Sequence, residues 1–171
     1  MKRNFLIVAI IAVMLAVLVF LCRDDNEIDT IAIVTPPNYS TNIIIFFEQD
    51  TAIGNVKKVN GEHLFYANSN PSIFFVKEKA GNSYLVNYCL KNGKLEKVDY
   101  VSEMAIKRAP DTSYQVIGGG YGCIHTDYYK KNSNQLPYST FTAGKTADIK
   151  HRFVLSDSLV IANYKMGLGI K

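Results

Sequence analysis

Three residues, Cys123, His125 and Asp127, have types and a spacing that could support chemistry. Alternate residues of a β-strand project from one face, so these three side chains could approach a single metal ion. A simpler interpretation makes Cys123 half of a disulfide or a core cysteine, beside two partly exposed polar residues. We favour this simpler interpretation and keep the three residues as weak candidates for a metal site.

Hydrolytic and nucleotide chemistry have less support. His63, His125 and His151 lie near no nucleophile signature such as G-x-S-x-G, so the fold alone would have to assemble a catalytic triad. Gly144-Lys145-Thr146 matches the end of a phosphate-binding loop, but Ser139 replaces the glycine that such a loop needs five residues earlier. We therefore expect no cofactor, and an enzyme that uses His125, metal-dependent or hydrolytic, is kept only as an alternative.

The elements that would position these residues are mostly strands. Residues 42–48 contain five consecutive apolar residues, which predicts a strand covered on both faces. Asn92-Gly93 separates the β-type segments 84–90 and 95–101, and this dipeptide favours the type I′ turn of a hairpin. The glycines at positions 118, 120 and 122 precede strand-like sequence, which predicts a β-bulge rather than a phosphate-binding loop that opens a helix. Other strands are predicted at residues 29–34, 64–66, 72–77, 114–117, 123–129, 138–142 and 151–155, and residues 50–61 are predicted to be a loop or a weak edge.

Short strands at roughly ten-residue spacing predict an all-β fold, an antiparallel β-sandwich of the transthyretin or immunoglobulin type. Residues 24–171 are enough for one core and too few for two ordinary domains, so we expect a single domain there. The tail at residues 158–166 suits either a short helix, capped by Ser156 or Asp157 and ended by Gly167, or a last strand.

Residues 5–21 form an uninterrupted apolar run, FLIVAIIAVMLAVLVFL. As a helix this run would span about 26 Å, close to the hydrocarbon thickness of a bilayer. Lys2 and Arg3 precede it, so the domain is predicted on the extracytoplasmic side, in the periplasm or at the cell surface. We favour an uncleaved single-pass anchor over residues 1–23. The main alternative is a lipoprotein signal with a lipid on Cys22, and a cleaved secretory signal fits less well.

The net charge of +4 comes largely from the N-terminal end of the chain. Lys2, Arg3 and Arg23 supply three of the 19 basic residues, while all 15 acidic residues follow position 23, so the domain itself carries +1. Its basic residues are scattered among acidic ones, whereas a nucleic-acid-binding protein concentrates them on one face. We therefore expect no nucleic-acid partner.

Cys89 and Cys123 remain as a pair if Cys22 belongs to the anchor or carries a lipid. An even pair in an oxidising compartment favours a disulfide, which would contribute about 3 to 4 kcal/mol in the chain-entropy model. Two reduced, buried thiols are the alternative.

Several short motifs carry a resemblance to a known family. They are Pro37-Asn-Tyr-Ser40, the isoleucine-rich segment that ends at Gln49, the stretch 60–66, the hairpin at 84–97 and Phe141-Thr-Ala-Gly144. Over residues 31–145 the chain resembles an uncharacterised family of bacterial exported domains, many of which are lipoprotein-like. The opening of the domain is also similar to the transthyretin-like modules of exported proteins. The resemblance implies export and a β fold, and it brings no activity with it.

Eleven tyrosines supply the amphipathic surface that interfaces favour, with a cluster at Tyr84, Tyr88, Tyr121, Tyr128 and Tyr129. Many of them could instead simply pack within sheets. We expect a membrane-tethered extracytoplasmic domain that binds a protein or an envelope component without catalysis. An immunity or inhibitor protein of the cell envelope is an alternative within the same class.

Overall fold

The computed structural model describes residue 14 and residues 29–54, 56–59, 62–150 and 155–170. Within these ranges ten strands form two five-stranded sheets. The strands are β1 (Asp29–Thr35), β2 (Thr41–Phe46), β3 (Val56–Val59), β4 (Glu62–Tyr66), β5 (Ser72–Phe75), β6 (Ser83–Lys91), β7 (Lys94–Val98), β8 (Tyr100–Val101), β9 (Tyr114–His125) and β10 (Gln135–Lys145). Sheet A has the order β3-β4-β1-β6-β7, and sheet B has the order β5-β2-β10-β9-β8. The helices are α1 (Glu103–Ile106), α2 (Thr146–Ile149) and α3 (Asp157–Gly167).

The two sheets face each other across the main core. Ile43 and Ile45 of β2 project into this core and belong to the same cluster as Ile33 of β1. Ile44 and Phe46 project from the opposite face of β2 into a second cluster, which includes residues of α3. All of these side chains are fully buried, which confirms the prediction of a strand covered on both faces.

Helix α3 covers the outer face of sheet B. Val160, Asn163 and Tyr164 are its buried residues, and their spacing of three and four places them on one side of a helix. Tyr164 packs against Phe46 and Phe75, with ring centroids 4.9 and 5.6 Å away. The helical alternative for the tail of the sequence is therefore the right one.

The predicted antiparallel arrangement is wrong for half of the strand pairs. β1 pairs with β4 and with β6 in parallel, and the pairs β2–β5 and β8–β9 are also parallel. For three of the four parallel pairs the chain passes through the other sheet between the two strands, whereas β8 and β9 follow each other in sheet B and are connected through α1. Local hairpin signals cannot reveal such pairs, because the partners lie far apart in the sequence.

The hairpin of β6 and β7 is confirmed, with positive φ angles of 50° at Asn92 and 77° at Gly93 as a type I′ turn requires. Its second arm is shorter than predicted, because β7 ends at Val98. Tyr100 and Val101 already belong to β8 in sheet B. The chain therefore changes sheets within two residues.

The glycine-rich segment lies inside one long strand, β9, and contains the predicted bulge. Gly118 pairs with Phe141 of β10, and Tyr121 pairs with Ser139, so two residues of β9 oppose the single residue Thr140. Such a bulge bends the strand and redirects the side chains beside it.

The N-terminal prediction falls outside this description. Of residues 5–21 only position 14 is described, Cys22 is not, and the predicted strand at 151–155 is described only at its last residue. No helix in the described part of the chain combines the length and the apolar character needed to cross a bilayer. The single-pass anchor stays a prediction.

Candidate functional site

A groove opens between the start of β6 in sheet A and strands β8, β9 and β10 in sheet B. Its volume is about 320 Å³, and its lining consists of Ser83, Tyr84, Leu85, Tyr100, Gly118, Tyr121, Ser139 and Phe141. Three of these residues, Tyr84, Tyr100 and Tyr121, are 57%, 41% and 53% exposed. We call this cavity the tyrosine groove.

Tyr100 is held in place by the bulged strand beneath it. Its ring lies above Gly118, where a Cβ atom would come within 3.1 Å of the ring atom Cδ1. The same ring packs against Phe141, with centroids 5.4 Å apart. The glycine therefore provides the close approach that seats an aromatic ring in the groove.

Tyr121 links the two sheets at the edge of the groove. Its ring packs against Phe47 with a centroid separation of 5.5 Å, and its hydroxyl donates a hydrogen bond to the Ser83 carbonyl at 3.0 Å. These contacts orient the side chain while half of its surface stays exposed. The groove is therefore preformed on the protein side.

The tyrosine groove is electrically neutral in the described part of the structure, since none of its lining side chains carries a charge. Burial raises the pKa of Tyr100 to about 12, and burial also raises the pKa of Tyr121. Both hydroxyls therefore stay protonated at physiological pH. Fixed aromatic rings with neutral polar tips suit recognition of an uncharged, partly apolar group.

The structure does not assemble Cys123, His125 and Asp127 into a metal site. β9 ends at His125, and Asp127 lies in the following turn, so strand alternation does not reach it. All three residues are exposed. Within the described ranges no three His, Cys, Asp or Glu side chains are placed to hold a metal ion.

The predicted disulfide is not formed, since Cys89 and Cys123 are both free, the first buried and the second exposed. Cys89 pairs in register with Thr35, whose hydroxyl accepts a hydrogen bond from Tyr114 at the start of β9. Cys123 lies nine residues beyond Tyr114, roughly 30 Å along β9 at ~3.3 Å per residue. A disulfide needs Cα atoms within about 7 Å. The prediction of a disulfide is therefore wrong, because β6 and β9 hold the two cysteines apart.

The other residues considered for chemistry are also dispersed. His63 Nδ1 lies 3.0 Å from Glu78 Oε1, and His151 lies outside the described residues. The Gly144-Lys145-Thr146 segment leads from β10 into the four-residue helix α2. The Thr146 hydroxyl is buried and lies 2.9 Å from the Ser113 hydroxyl, so it is engaged within the domain.

The predicted tyrosine cluster divides among three places. Tyr84 and Tyr121 line the tyrosine groove, while Tyr88 packs on the outer face of sheet A. Tyr128 and Tyr129 line a second, polar cavity. Tyr84, Tyr121 and Tyr128 are exposed, whereas Tyr88 is half-buried and Tyr129 is buried, so both interpretations of the cluster hold for part of it.

Sequence reasoning missed Tyr100 and Phe141 as groove residues. The predicted strand 138–142 contains Phe141, but the contact of Phe141 with Tyr100 depends on the register of β10 against the bulged β9. The glycine run was the available signal, because a glycine inside a strand often marks a bulge or a close approach, and at Gly118 the group that approaches is the Tyr100 ring.

The described elements define a β-sandwich of two mixed five-stranded sheets with a helix on one outer face. No family model and no curated protein matches the chain. Among solved structures the chain is similar to a crystal structure described as a "Putative Lipoprotein" from Bacillus anthracis, with a TM-score of 0.43 and 18% identity over 81% of this chain and 89% of that chain. A similarity at this level assigns neither a fold family nor a function, so the resemblance to exported domains stays a prediction.

Proposed function

We propose that this protein is a membrane-tethered, extracytoplasmic binding domain that acts without catalysis, with the tyrosine groove as its binding site. The observation that carries the proposal is the groove itself, in which three exposed tyrosines and Phe141 form a concave, uncharged surface. Tyrosine is enriched at protein interfaces because it combines large apolar area with a polar tip.

The tether is supported by the sequence alone. The apolar run at residues 5–21 is long enough to span a bilayer, and Lys2 and Arg3 before it favour an N-terminus on the cytoplasmic side. A lipid on Cys22 would place the domain on the same side of the membrane. Both forms leave the groove outside the cytoplasm.

The size of the tyrosine groove indicates what it can hold. A cavity of about 320 Å³ lies at the lower end of the range for small-ligand sites and is far smaller than a whole protein interface. It therefore suits one projecting group of a protein partner or one unit of an envelope component, as an anchor residue does at the centre of an interface.

Site-specific photo-crosslinking of the full chain in its membrane tests the proposed binding site. A photoreactive phenylalanine analogue at Tyr121 is expected to yield a discrete adduct, and the same analogue at Lys94, the exposed first residue of β7, is expected to yield none. Tyr84→Ser should weaken the adduct at position 121, because it removes one wall of the groove. Equal adducts at both positions, or an adduct insensitive to Tyr84→Ser, would contradict the proposal.

Intact mass of membrane-extracted protein tests the tether. A full-length mass identifies the uncleaved anchor, and loss of residues 1–21 with an acyl mass on Cys22 identifies the lipoprotein. Recovery of an unacylated chain in the soluble fraction would refute both forms.

A further inference from the structure

A second cavity, of about 220 Å³, lies where three segments of the chain meet. Residues 48–50 follow β2, residues 128–131 follow β9, and Tyr164 extends from α3. Its lining is polar and contains both acidic and basic side chains, in contrast to the tyrosine groove. We call it the polar cradle.

Tyr129 is the unusual member of the polar cradle. Its side chain is only 3% exposed, and within the described structure its buried hydroxyl has no hydrogen-bond partner. Leaving a buried polar group unpaired is costly, so natural proteins normally satisfy such groups with a protein group, a water molecule or a ligand. Tyr129 lines the polar cradle, so a bound group could supply the partner that the protein itself does not provide for this hydroxyl.

The surroundings of Tyr129 are rich in oxygen acceptors and negative charge. Tyr164 donates its hydroxyl hydrogen to Gln49 Oε1 at 3.1 Å, so the Tyr164 oxygen can still accept a hydrogen bond. Burial raises the pKa of Tyr129 to about 12, and the negative charges of Glu48 and Asp50 add to this effect. The phenol therefore faces an environment that favours a cation.

The chain already places one ammonium group at the rim of this cavity. Lys131 Nζ donates to the Glu48 carbonyl at 3.1 Å and forms an ion pair with the Asp50 carboxylate. Lys130 is exposed in the same lining. Acceptors for a cation and donors for an anion thus lie side by side within one small cavity.

We propose that the polar cradle binds a small zwitterion, with its primary ammonium group at Tyr129, Tyr164 and Asp50 and its anionic group at Lys130 and Lys131. A primary ammonium has three N–H donors for these three acceptors. A quaternary ammonium has none and would leave the lone pairs of the Tyr129 hydroxyl oxygen without a hydrogen-bond donor. Free amino acids and the ethanolamine phosphate headgroup of lipids share this chemistry. The site is separate from the tyrosine groove and goes beyond the proposed function.

The test is titration of the full chain in detergent micelles with O-phosphoethanolamine, L-alanine and phosphocholine, followed by the NMR signal of the Gln49 side-chain amide. We expect saturable binding of O-phosphoethanolamine or L-alanine, and binding of phosphocholine at least about tenfold weaker. Binding of O-phosphoethanolamine alone identifies a lipid headgroup as the source, and binding of L-alanine alone identifies a free amino acid. Equal binding of phosphocholine, or no saturable binding of any probe, overturns the proposal.

Two variants locate the site. Tyr129→Phe keeps the buried ring and removes the hydroxyl, so it is expected to weaken binding about five- to tenfold. Tyr88→Phe makes the same change on the outer face of sheet A, away from both cavities, and is expected to leave the titration unchanged. Lys130→Gln, at an exposed position, should weaken binding through the anionic group even if Tyr129→Phe folds poorly. Unchanged affinity in both Tyr129→Phe and Lys130→Gln would also overturn the proposal.

Discussion

The hydroxyl groups of Tyr114 and Tyr129 differ in their hydrogen bonding. The Tyr114 hydroxyl donates to Thr35 Oγ1 and so connects the start of β9 to the end of β1. The Tyr129 hydroxyl is buried without a partner in the described structure. The net effect of a buried hydroxyl on stability depends on this difference, because a satisfied group stabilises the fold and an unsatisfied one destabilises it.

Tyr114→Phe is therefore expected to lower the free energy of unfolding by about 0.5 to 1.5 kcal/mol at neutral pH, since it also leaves Thr35 without its donor. Tyr129→Phe is expected to leave stability unchanged or to raise it slightly in the absence of ligand. Denaturant unfolding of the two variants beside the unchanged protein measures both effects. An equal loss in the two variants would show that the Tyr129 hydroxyl has a partner.

Tyr114 and Tyr129 also make the free energy of unfolding depend on pH in the alkaline range. Burial raises the pKa of Tyr114 and of Tyr129 from 10.0 to about 12. Because the folded state holds the neutral phenol, this stabilisation is fully present below pH 10 and is lost as the pH rises toward 12. Unfolding measured from pH 9 to 12 should show this decline, and Tyr129→Phe should reduce its slope. An identical slope in Tyr129→Phe would contradict the assignment.

At the scale of elements, α3 is docked on sheet B through an unusually close contact. Gly167, the last residue of the helix, lies so near Phe75 that a Cβ atom there would be 2.5 Å from the ring atom Cε2. Phe75 is itself fully buried and cannot move aside easily. The glycine thus sets how closely the C-terminal end of α3 approaches β5.

Gly167→Ala should destabilise the protein by about 1 to 3 kcal/mol through this overlap, although alanine normally favours a helix. The matched control is Gly81→Ala, since a Cβ at Gly81 meets no atom within 4 Å. Thermal unfolding distinguishes the two variants. A Gly167→Ala protein as stable as the control would mean that α3 docks less closely than described.

Several elements could be predicted because their determinants are local. The apolar run of β2, the Asn92-Gly93 turn and the glycine bulge of β9 are each specified by adjacent residues. The parallel pairs and the separation of Cys89 from Cys123 could not be predicted, because they depend on which sheet the chain enters after each crossing. The site divides in the same way. The tyrosine cluster is visible in the sequence, whereas the exposure of each tyrosine, the contact of Tyr100 with Phe141 and the polar cradle arise only from tertiary packing.

At the scale of the whole molecule, the sandwich has two distinct ends. Asp29, where β1 begins, pairs with Ser83, and the Ser83 carbonyl accepts the hydrogen bond from Tyr121. Cys123 lies two residues beyond Tyr121 at this same end. β6 runs parallel to β1, so the hairpin turn before Lys94 lies at the opposite end. The proposed tether joins the chain at the end that carries the tyrosine groove.

A fluorophore on the exposed thiol of Cys123 should therefore be quenched by headgroup-labelled lipids when the full chain is reconstituted in vesicles. The control is the double variant Cys123→Ser, Lys94→Cys, which carries the fluorophore on the hairpin instead. Cys22 is present in both proteins, so any label on it contributes equally to the two measurements. We expect stronger quenching at position 123. Equal quenching at the two positions would show that the domain has no preferred orientation on the membrane.

Because β1 begins beside the tyrosine groove, the segment before β1 limits the distance between the groove and the membrane. Seven residues, 22–28, separate the apolar run 5–21 from β1, and even fully extended they reach roughly 24 Å. A partner anchored in the same membrane would thus share a thin layer with the groove, which raises its effective concentration above that of the same partner free in solution. Contacts too weak to hold a freely diffusing partner could then keep the groove occupied, so assays with soluble partner fragments would underestimate its occupancy in the membrane.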